Sequence, residues 1–235
     1  MWLLSDKVRV RDSGLLEGFC DYHCHLLPGV DDGVQKMEET LEILKMWDEV
    51  GVKEVWMTPH VMEDYPNEPT ELREKFEQVR NTYSGNIVLH LAAENMMDLL
   101  FMKRLNDDHF LTIGEAASNL LVETSYYIPP MNMDLIVSRI KEKGYSPILA
   151  HPERYQYMEL ADYRKWKNMG VLLQLNIPSL VGAYGYKAQA NGKWLLSHGM
   201  YDCCGTDTHS IANVEEFLDS MISKKTVRRL RQINR

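Results

Sequence analysis

Short apolar runs of strand length recur along this chain and alternate with longer stretches of helical periodicity. That alternation restricts the fold to parallel strands joined by helices. The runs fall at residues 18–23, 52–58, 87–93, 119–122, 147–150, 171–176 and 201–205. After the turn at residues 28–33, Met37, Leu41, Leu44 and Trp47 recur every three or four positions until Gly51, while Glu38, Glu39, Glu42, Lys45 and Asp48 take the solvent face. The same reading predicts helices at 70–83, 133–143, 162–169, 194–198 and 214–229. With no repeat, low-complexity tract or long linker, residues 1–235 are expected to form a single domain. A chain of this length buries roughly 70% of its extended surface, so no metal is needed merely to hold a core together. Any metal must serve chemistry.

Strand after strand ends in a side chain that binds metals. His23 and His25 follow the first, His60 the second, Glu94 the third, Glu123 the fourth, His151 the fifth, and Asp207 with His209 the last. An open sheet concentrates such residues at one switch point, whereas a closed or nearly closed parallel barrel collects them from every strand end, so a barrel is expected. Period-two geometry sends His23 and His25 to one side of their strand and Cys24 to the other, and Asp207-Thr208-His209 repeats the device. One such pair is commonly a packed, hydrogen-bonded histidine pair. Two pairs plus four further strand-end ligands are not. Imidazole and carboxylate without thiolate suit manganese, iron or zinc. The donors exceed what one ion can use, which points to two or three divalent ions and to hydrolysis, most naturally of phosphate esters.

Other function classes are excluded by charge and composition. Twenty-six cationic against 34 acidic residues give a net charge of −8, which opposes a sequence-independent grip on nucleic acid. No apolar run approaches the roughly 18 residues of a membrane span, so no membrane insertion is expected. The first residues break off too early for a signal peptide's apolar core, and the expected location is the cytoplasm. Cys20, Cys24, Cys203 and Cys204 are read as reduced thiols. A thiol-based phosphatase needs an arginine at the sixth position after its cysteine; those positions hold Leu26, Val30, His209 and Ser210, so that route is closed. Lys224, Lys225, Arg228, Arg229, Arg231 and Arg235 make a basic end on an acidic chain, read as a solvated helix terminus able to dock an acidic partner or a neighbouring subunit.

The segments Asp21-Tyr22-His23-Cys24-His25, Thr58-Pro59-His60, Ala93-Glu94, Val122-Glu123, Ala150-His151-Pro152-Glu153-Arg154 and Gly205-Thr206-Asp207-Thr208-His209 resemble, in order, the PHP (polymerase and histidinol phosphatase) superfamily. Within it, Leu27-Pro28-Gly29-Val30-Asp31-Asp32-Gly33 and the His151–Arg154 stretch are similar to bacterial metal-dependent protein-tyrosine phosphatases that act with capsule and exopolysaccharide tyrosine kinases. The resemblance implies a distorted (β/α)7 TIM-like barrel with a trinuclear site, manganese being the first choice of metal and iron or zinc the others. It implies that His23, His25, Glu94 and Asp207 hold one ion, that Glu94 bridges to a second held also by Glu123 and His151, and that Asp32, His60 and His209 hold the third. The residues alone read both Asp31 and Asp32 as turn formers.

Arg154 is the candidate for the phosphate's outer oxygens, since a guanidinium donates two parallel hydrogen bonds and stays charged. Residues 210–214 lack the second arginine that these phosphatases carry after the D-x-H motif, which leaves Lys187 or an arginine from elsewhere to substitute. The leading expectation is hydrolysis of phosphotyrosine on a protein, such as a tyrosine kinase tail, by metal-activated hydroxide. The alternatives are a small-molecule phosphatase such as histidinol phosphatase, and a catalytically silent binding module.

Overall fold

The computed structural model describes residues 6–107, 109–114 and 118–233; the opening residues 1–5 and Arg235 lie outside them. In chain order the strands are β1 (Lys7–Arg9), β2 (Cys20–Cys24), β3 (Glu54–Met57), β4 (His60–Val61), β5 (Val88–Leu91), β6 (Glu94–Met96), β7 (Asn119–Glu123), β8 (Ser146–Leu149), β9 (Leu172–Asn176), β10 (Cys203–Gly205) and β11 (Met221–Ser223). The helices are α1 (Met37–Glu49), α2 (Pro69–Thr82), α3 (Leu99–Asp107), α4 (Met133–Glu142), α5 (Leu160–Asn168), α6 (Ile177–Val181), α7 (Gly185–Ser197), α8 (Ile211–Asp219) and α9 (Lys224–Ile233).

Parallel pairing joins β2, β3 and β5 in one sheet and runs β10-β9-β8-β7-β6-β4 in another. Only Thr58-Pro59 separates β3 from β4, and only Ala92-Ala93 separates β5 from β6. Pro59 has no N–H to donate, so the ladder breaks there, although its carbonyl still accepts from the Glu94 N–H at 3.1 Å. The outcome is one curled parallel sheet whose neighbours follow the chain. The free edge of β2 reaches back toward the segment after β10: Cys24 bridges Thr208, and the His25 N–H donates to the Thr208 carbonyl at 2.9 Å.

Alternation along the strands sorts two apolar clusters. Leu120 and Val122 of β7 join the large core beneath the helices, with Trp47 of α1, Phe76 of α2 and Ile140 of α4. Leu121 of β7 joins Ala92, Ile113, Ile148 and Ala150 in a small cluster drawn from strands and their edges, flanked by Tyr22 and Trp56. That small cluster plugs the concave face below the ends of the strands.

Several expected boundaries move. The single helix expected at 214–229 is two helices, because Met221-Ile222-Ser223 pairs antiparallel with Lys7-Val8-Arg9 between them. The three-residue partner β1 is too short to show periodicity. Helix α7 begins nine residues before the expected 194, since Gly185 and Gly192 mask a helical stretch by their low propensity. Gly192 is there for packing: a Cβ would lie 3.2 Å from Leu180 Cδ2. Helix α6 falls outside the expected set, whereas α3 carries Phe101 and Met102, which read as core-facing helix residues, with Phe101 buried; Met96, read the same way, lies in β6. No helix among the described residues is long and apolar enough to cross a membrane.

Candidate metal centre

Local irregularity at the end of β2 sets the geometry. Asp21 pairs with Val55 and Cys24 with Met57, so Tyr22 and His23 together stand opposite Trp56. This bulge turns the strand: Tyr22 packs with the inner cluster, His23 and His25 face the site, and Cys24 is buried in the helix-side core with its thiol on the Trp56 carbonyl at 3.3 Å. His151 (φ 32°) and Asp207 (φ 53°) both sit in the left-handed region at the ends of their strands. For residues other than glycine this conformation is costly and recurs where side chains must be aimed.

All nine candidate ligands, the eight strand-end residues and Asp32 of the turn, come together. Their donor atoms fall into overlapping groups: His23, His25 and Asp207; His23, Glu94 and His151; His60, Glu94 and Glu123; and His25, Asp32, His60 and His209. The first three sets are buried, whereas Asp32 is exposed and His209 partly so. Two pairings differ from those implied by the resemblance. His60 Nδ1 lies 3.1 Å from Glu94 and 3.0 Å from Glu123, while its Nε2 is 3.4 Å from Asp32, so His60 faces two groups at once. His151 Nε2 approaches Glu94 at 2.9 Å and Glu123 only at 3.9 Å.

The hydrogen bonds around the cluster fix where its lone pairs point. The Gln174 amide donates through Nε2 to the Leu175 carbonyl at 2.6 Å, and its Oε1 accepts from the His151 N–H at 3.2 Å. Oε1 is therefore the atom 3.0 Å from His23 Nδ1, which must carry the proton and leave Nε2 a bare acceptor. Asp31 Oδ2 does the same for His25 Nδ1 at 2.9 Å, and the Asp207 carbonyl for His209 Nδ1 at 2.8 Å. As a result His23 Nε2 and His25 Nε2 face each other at 3.1 Å, with Glu94 at 3.3 and 3.4 Å and Asp207 at 3.5 and 3.4 Å. Acceptors crowded around a common point, with Glu94 Oε2, Glu123 Oε1 and His60 Nδ1 buried and without a hydrogen bond among the described residues, are the arrangement a divalent cation satisfies. The donor set fits the metals expected from it.

Without an ion the same atoms form charge pairs. Burial pushes the Glu94 carboxyl up, but the His23 and His60 imidazoles in their charged form outweigh it and hold it well below the carboxylate range, so imidazolium stands where a cation would. Burial, reinforced by the Glu94 charge, pushes Glu123 up to about 7. Burial also raises Asp31, yet His25 and the N–H groups of His60 and Gly33 bring it down to about 2. Asp31 thus stays ionised behind His25 and His60.

Arg154 lies at the edge of the cluster. Its guanidinium donates to Asp207 Oδ2, which also accepts from Asn176 Nδ2 at 3.0 Å. Its flat faces are covered by Tyr126 at 4.5 Å and Tyr184 at 4.0 Å. Lys187 lies on α7 with its ammonium on the Gln156 carbonyl at 2.6 Å. His90 packs elsewhere, stacked on Trp56 at 4.4 Å with its Nε2 3.1 Å from Glu54.

Sequence reasoning missed Asp31, Gln174, Asn176, Tyr126 and Tyr184. Gln174 had a signal, a polar side chain inside the apolar run Leu172–Asn176 of β9. Tyr126 and Tyr184 had none.

A Bacillus subtilis protein named tyrosine-protein phosphatase YwqE is 24% identical over 197 residues, covering 81% of this chain and 77% of its own. The Streptococcus pneumoniae tyrosine-protein phosphatase CpsB is 24% identical over 219 residues, covering 87% and 90%. One solved chain, from work described as crystal structures of YwqE from Bacillus subtilis and CpsB from Streptococcus pneumoniae, unique metal-dependent tyrosine phosphatases, superposes with a TM-score of 0.76 at 21% identity over 91% of this chain and 85% of its own, so the fold is shared. Residues 19–229 match the profile of the family described as capsular polysaccharide synthesis, CpsB/CapC, and the chain belongs to that family.

Proposed function

We propose that this protein is a metal-dependent protein-tyrosine phosphatase. The observation that carries the reading is the convergence of His23, His25, Asp32, His60, Glu94, Glu123, His151, Asp207 and His209 at one end of the curled sheet, with their lone pairs turned inward. Relatives across most of the chain carry the name tyrosine-protein phosphatase, which favours this reading over a small-molecule phosphatase such as histidinol phosphatase. The undiminished cluster speaks against a silent binding module.

His23, His25, Glu94 and Asp207 would hold one divalent ion, Glu94 and Glu123 with His151 and His60 a second, and Asp32, His60 and His209 a third. When bound, such ions supply positive charge to the ester oxygens and acidify a water that attacks phosphorus. Manganese is the first choice, with iron or zinc as alternatives. Gln174 and Asp31 hold the imidazoles of His23 and His25 in the tautomer that presents Nε2. Arg154 contributes the outer phosphate contact, its plane fixed by Tyr126 and Tyr184 so that little freedom is lost on binding.

Three further readings belong to this proposal. A single domain over residues 1–235 forms a distorted (β/α)7 barrel; the two parallel sheets, continued into each other through Thr58-Pro59 and Ala92-Ala93, and the Cys24–Thr208 bridge support it. The protein works in the cytoplasm. Its substrate is a phosphotyrosine protein, such as a tyrosine kinase tail. The test is turnover of para-nitrophenyl phosphate, a phosphotyrosine peptide, a phosphoserine peptide and histidinol phosphate by protein loaded with manganese, iron or zinc. Preference for the tyrosine peptide is expected; preference for histidinol phosphate would overturn the reading.

A further inference from the structure

The two tyrosines that sandwich Arg154 each lead directly onto exposed apolar surface. On one side Tyr126 is followed by Tyr127, 76% exposed, Ile128, 71%, and Met131, 90%. On the other, Tyr184 precedes Tyr186, 86% exposed in the first turn of α7. The first segment leaves the strand end that carries Glu123, and the second contains the residue whose hydroxyl reaches Asp207 at 3.4 Å. Both therefore begin at the metal cluster and run outward. Residues 124–133, Thr-Ser-Tyr-Tyr-Ile-Pro-Pro-Met-Asn-Met, contain no charged side chain in a chain of net charge −8. Pro129 and Pro130 also stiffen the segment and, with Met133, Trp166, Asp162 and the paired Asp134 and Lys165, line a groove of about 700 Å³ beside it.

A small ester needs none of this surface. Large apolar side chains held in water at the mouth of a site are costly unless something covers them. Resting on the phosphatase reading above, we infer that residues Tyr127, Ile128, Met131 and Tyr186 form a substrate-docking rim that takes an extended polypeptide with apolar or aromatic residues flanking its phosphotyrosine. Continuity with the Arg154 cage commits the occupant to the polypeptide that carries the reacting ester. The absence of charge from 124–133 commits its flanks to apolar rather than acidic chemistry. Selectivity for protein over small-molecule esters then comes from the rim, and the metal cluster with Arg154 acts on both alike.

The test is a variant carrying Tyr127→Ser, Ile128→Ser and Tyr186→Ser, all surface changes remote from the core, compared with the parent as manganese-loaded protein. Two substrates are used, para-nitrophenyl phosphate and a phosphotyrosine peptide with leucine and tyrosine flanks, and a peptide with glutamate flanks serves as control. For the apolar peptide kcat/KM is expected to fall about ten-fold or more, largely through KM. Para-nitrophenyl phosphate turnover is expected to stay within about two-fold, and the parent should prefer the apolar to the acidic peptide. An unchanged ratio of peptide to para-nitrophenyl phosphate turnover, or preference for the acidic peptide, would overturn the rim. A second readout is independent of hydrolysis: fluorescence anisotropy of the unphosphorylated apolar peptide, expected to show binding to the parent and about ten-fold weaker binding to the variant. If the parent hydrolyses no ester, the phosphatase reading fails and anisotropy alone decides the rim, equal binding by both proteins rejecting it.

Discussion

Asp31 and Asp32 are adjacent and chemically identical, yet they do different work. Asp32 faces His60 and His209 across 3.4 and 3.5 Å as a candidate ligand, whereas Asp31 is buried and ties His25 Nδ1, the His60 N–H and the Gly33 N–H to one carboxylate. Asp31→Ala is expected to weaken metal binding about 10- to 100-fold, as loss of an imidazole's outer hydrogen-bond partner does. Chelator competition measures this directly, and undiminished affinity would show that the tautomer of His25 needs no such support. Arg154→Ala should lower kcat/KM about ten- to a hundredfold, since a hydrogen bond to a charged group contributes about 1.5–3 kcal/mol. Metal content should hold, because Asp207 keeps its bonds from Asn176 and Tyr184. Normal kinetics with a lowered melting temperature would reduce Arg154 to a partner of Asp207. Eight of the nine candidate ligands were legible because each ends a strand and carries a side chain with few other reasons to be there, and Asp32 entered only through the resemblance of its segment. Asp31 was not, because an aspartate in a turn has an ordinary local explanation, and only the fold shows which imidazole it meets.

Between elements, two glycines set how closely the chain passes itself beneath the site. A Cβ on Gly33 would lie 2.3 Å from the His25 carbonyl oxygen and 2.5 Å from His25 Cβ, and one on Gly205 of β10 would lie 2.5 Å from His23 Cβ. The loop from Leu26 to Gln35 is closed onto the end of β2 by the Val34 N–H on the His25 carbonyl at 3.0 Å. Gly33→Ala must therefore push Asp32 away from His60 and His209. Elemental analysis is expected to find one fewer ion per chain, and melting to show a loss of about 1–3 kcal/mol, the usual cost of overpacking. An unaltered stoichiometry would separate Asp32 from the metal. Element order and parallel pairing followed from the alternation of short apolar runs with helical periods. The pairing of β1 with β11 did not, because a three-residue ribbon joining the two ends of a chain has no periodicity and depends wholly on distant partners. The bulge that aims His23 was equally hidden, since an ideal strand already puts residues 23 and 25 on one face.

At the scale of the molecule, the arrangement that serves chemistry opposes folding when no cation is present. Glu94 and Glu123 are buried together against His60, Asp207 is buried against His23 and His25, and imidazole nitrogens face the same space. An ion that binds this folded cluster and not the unfolded chain stabilises by about 2.7 kcal/mol at a hundredfold excess over its dissociation constant. For a chain of this size that is roughly 5–11 °C in melting temperature for a single site, and more for several. Chelation is therefore expected to lower the melting temperature by at least that amount, and manganese, zinc or ferrous iron to restore it. The rival account treats the cluster as a self-contained network of histidine–carboxylate ion pairs, complete without metal. Glu94→Gln separates the two. In the ion-pair network it removes the carboxylate that His23, His25, His60 and His151 share, so the variant melts lower and neither protein responds to chelator. In the metal centre it relieves crowding of buried charge while weakening the bridge between ions, so the variant's ion-free form melts no lower than the parent's, and its gain on adding manganese shrinks. Differential scanning calorimetry of both proteins, with and without chelator, distinguishes these outcomes, and a parent protein indifferent to chelator would reject the metal centre.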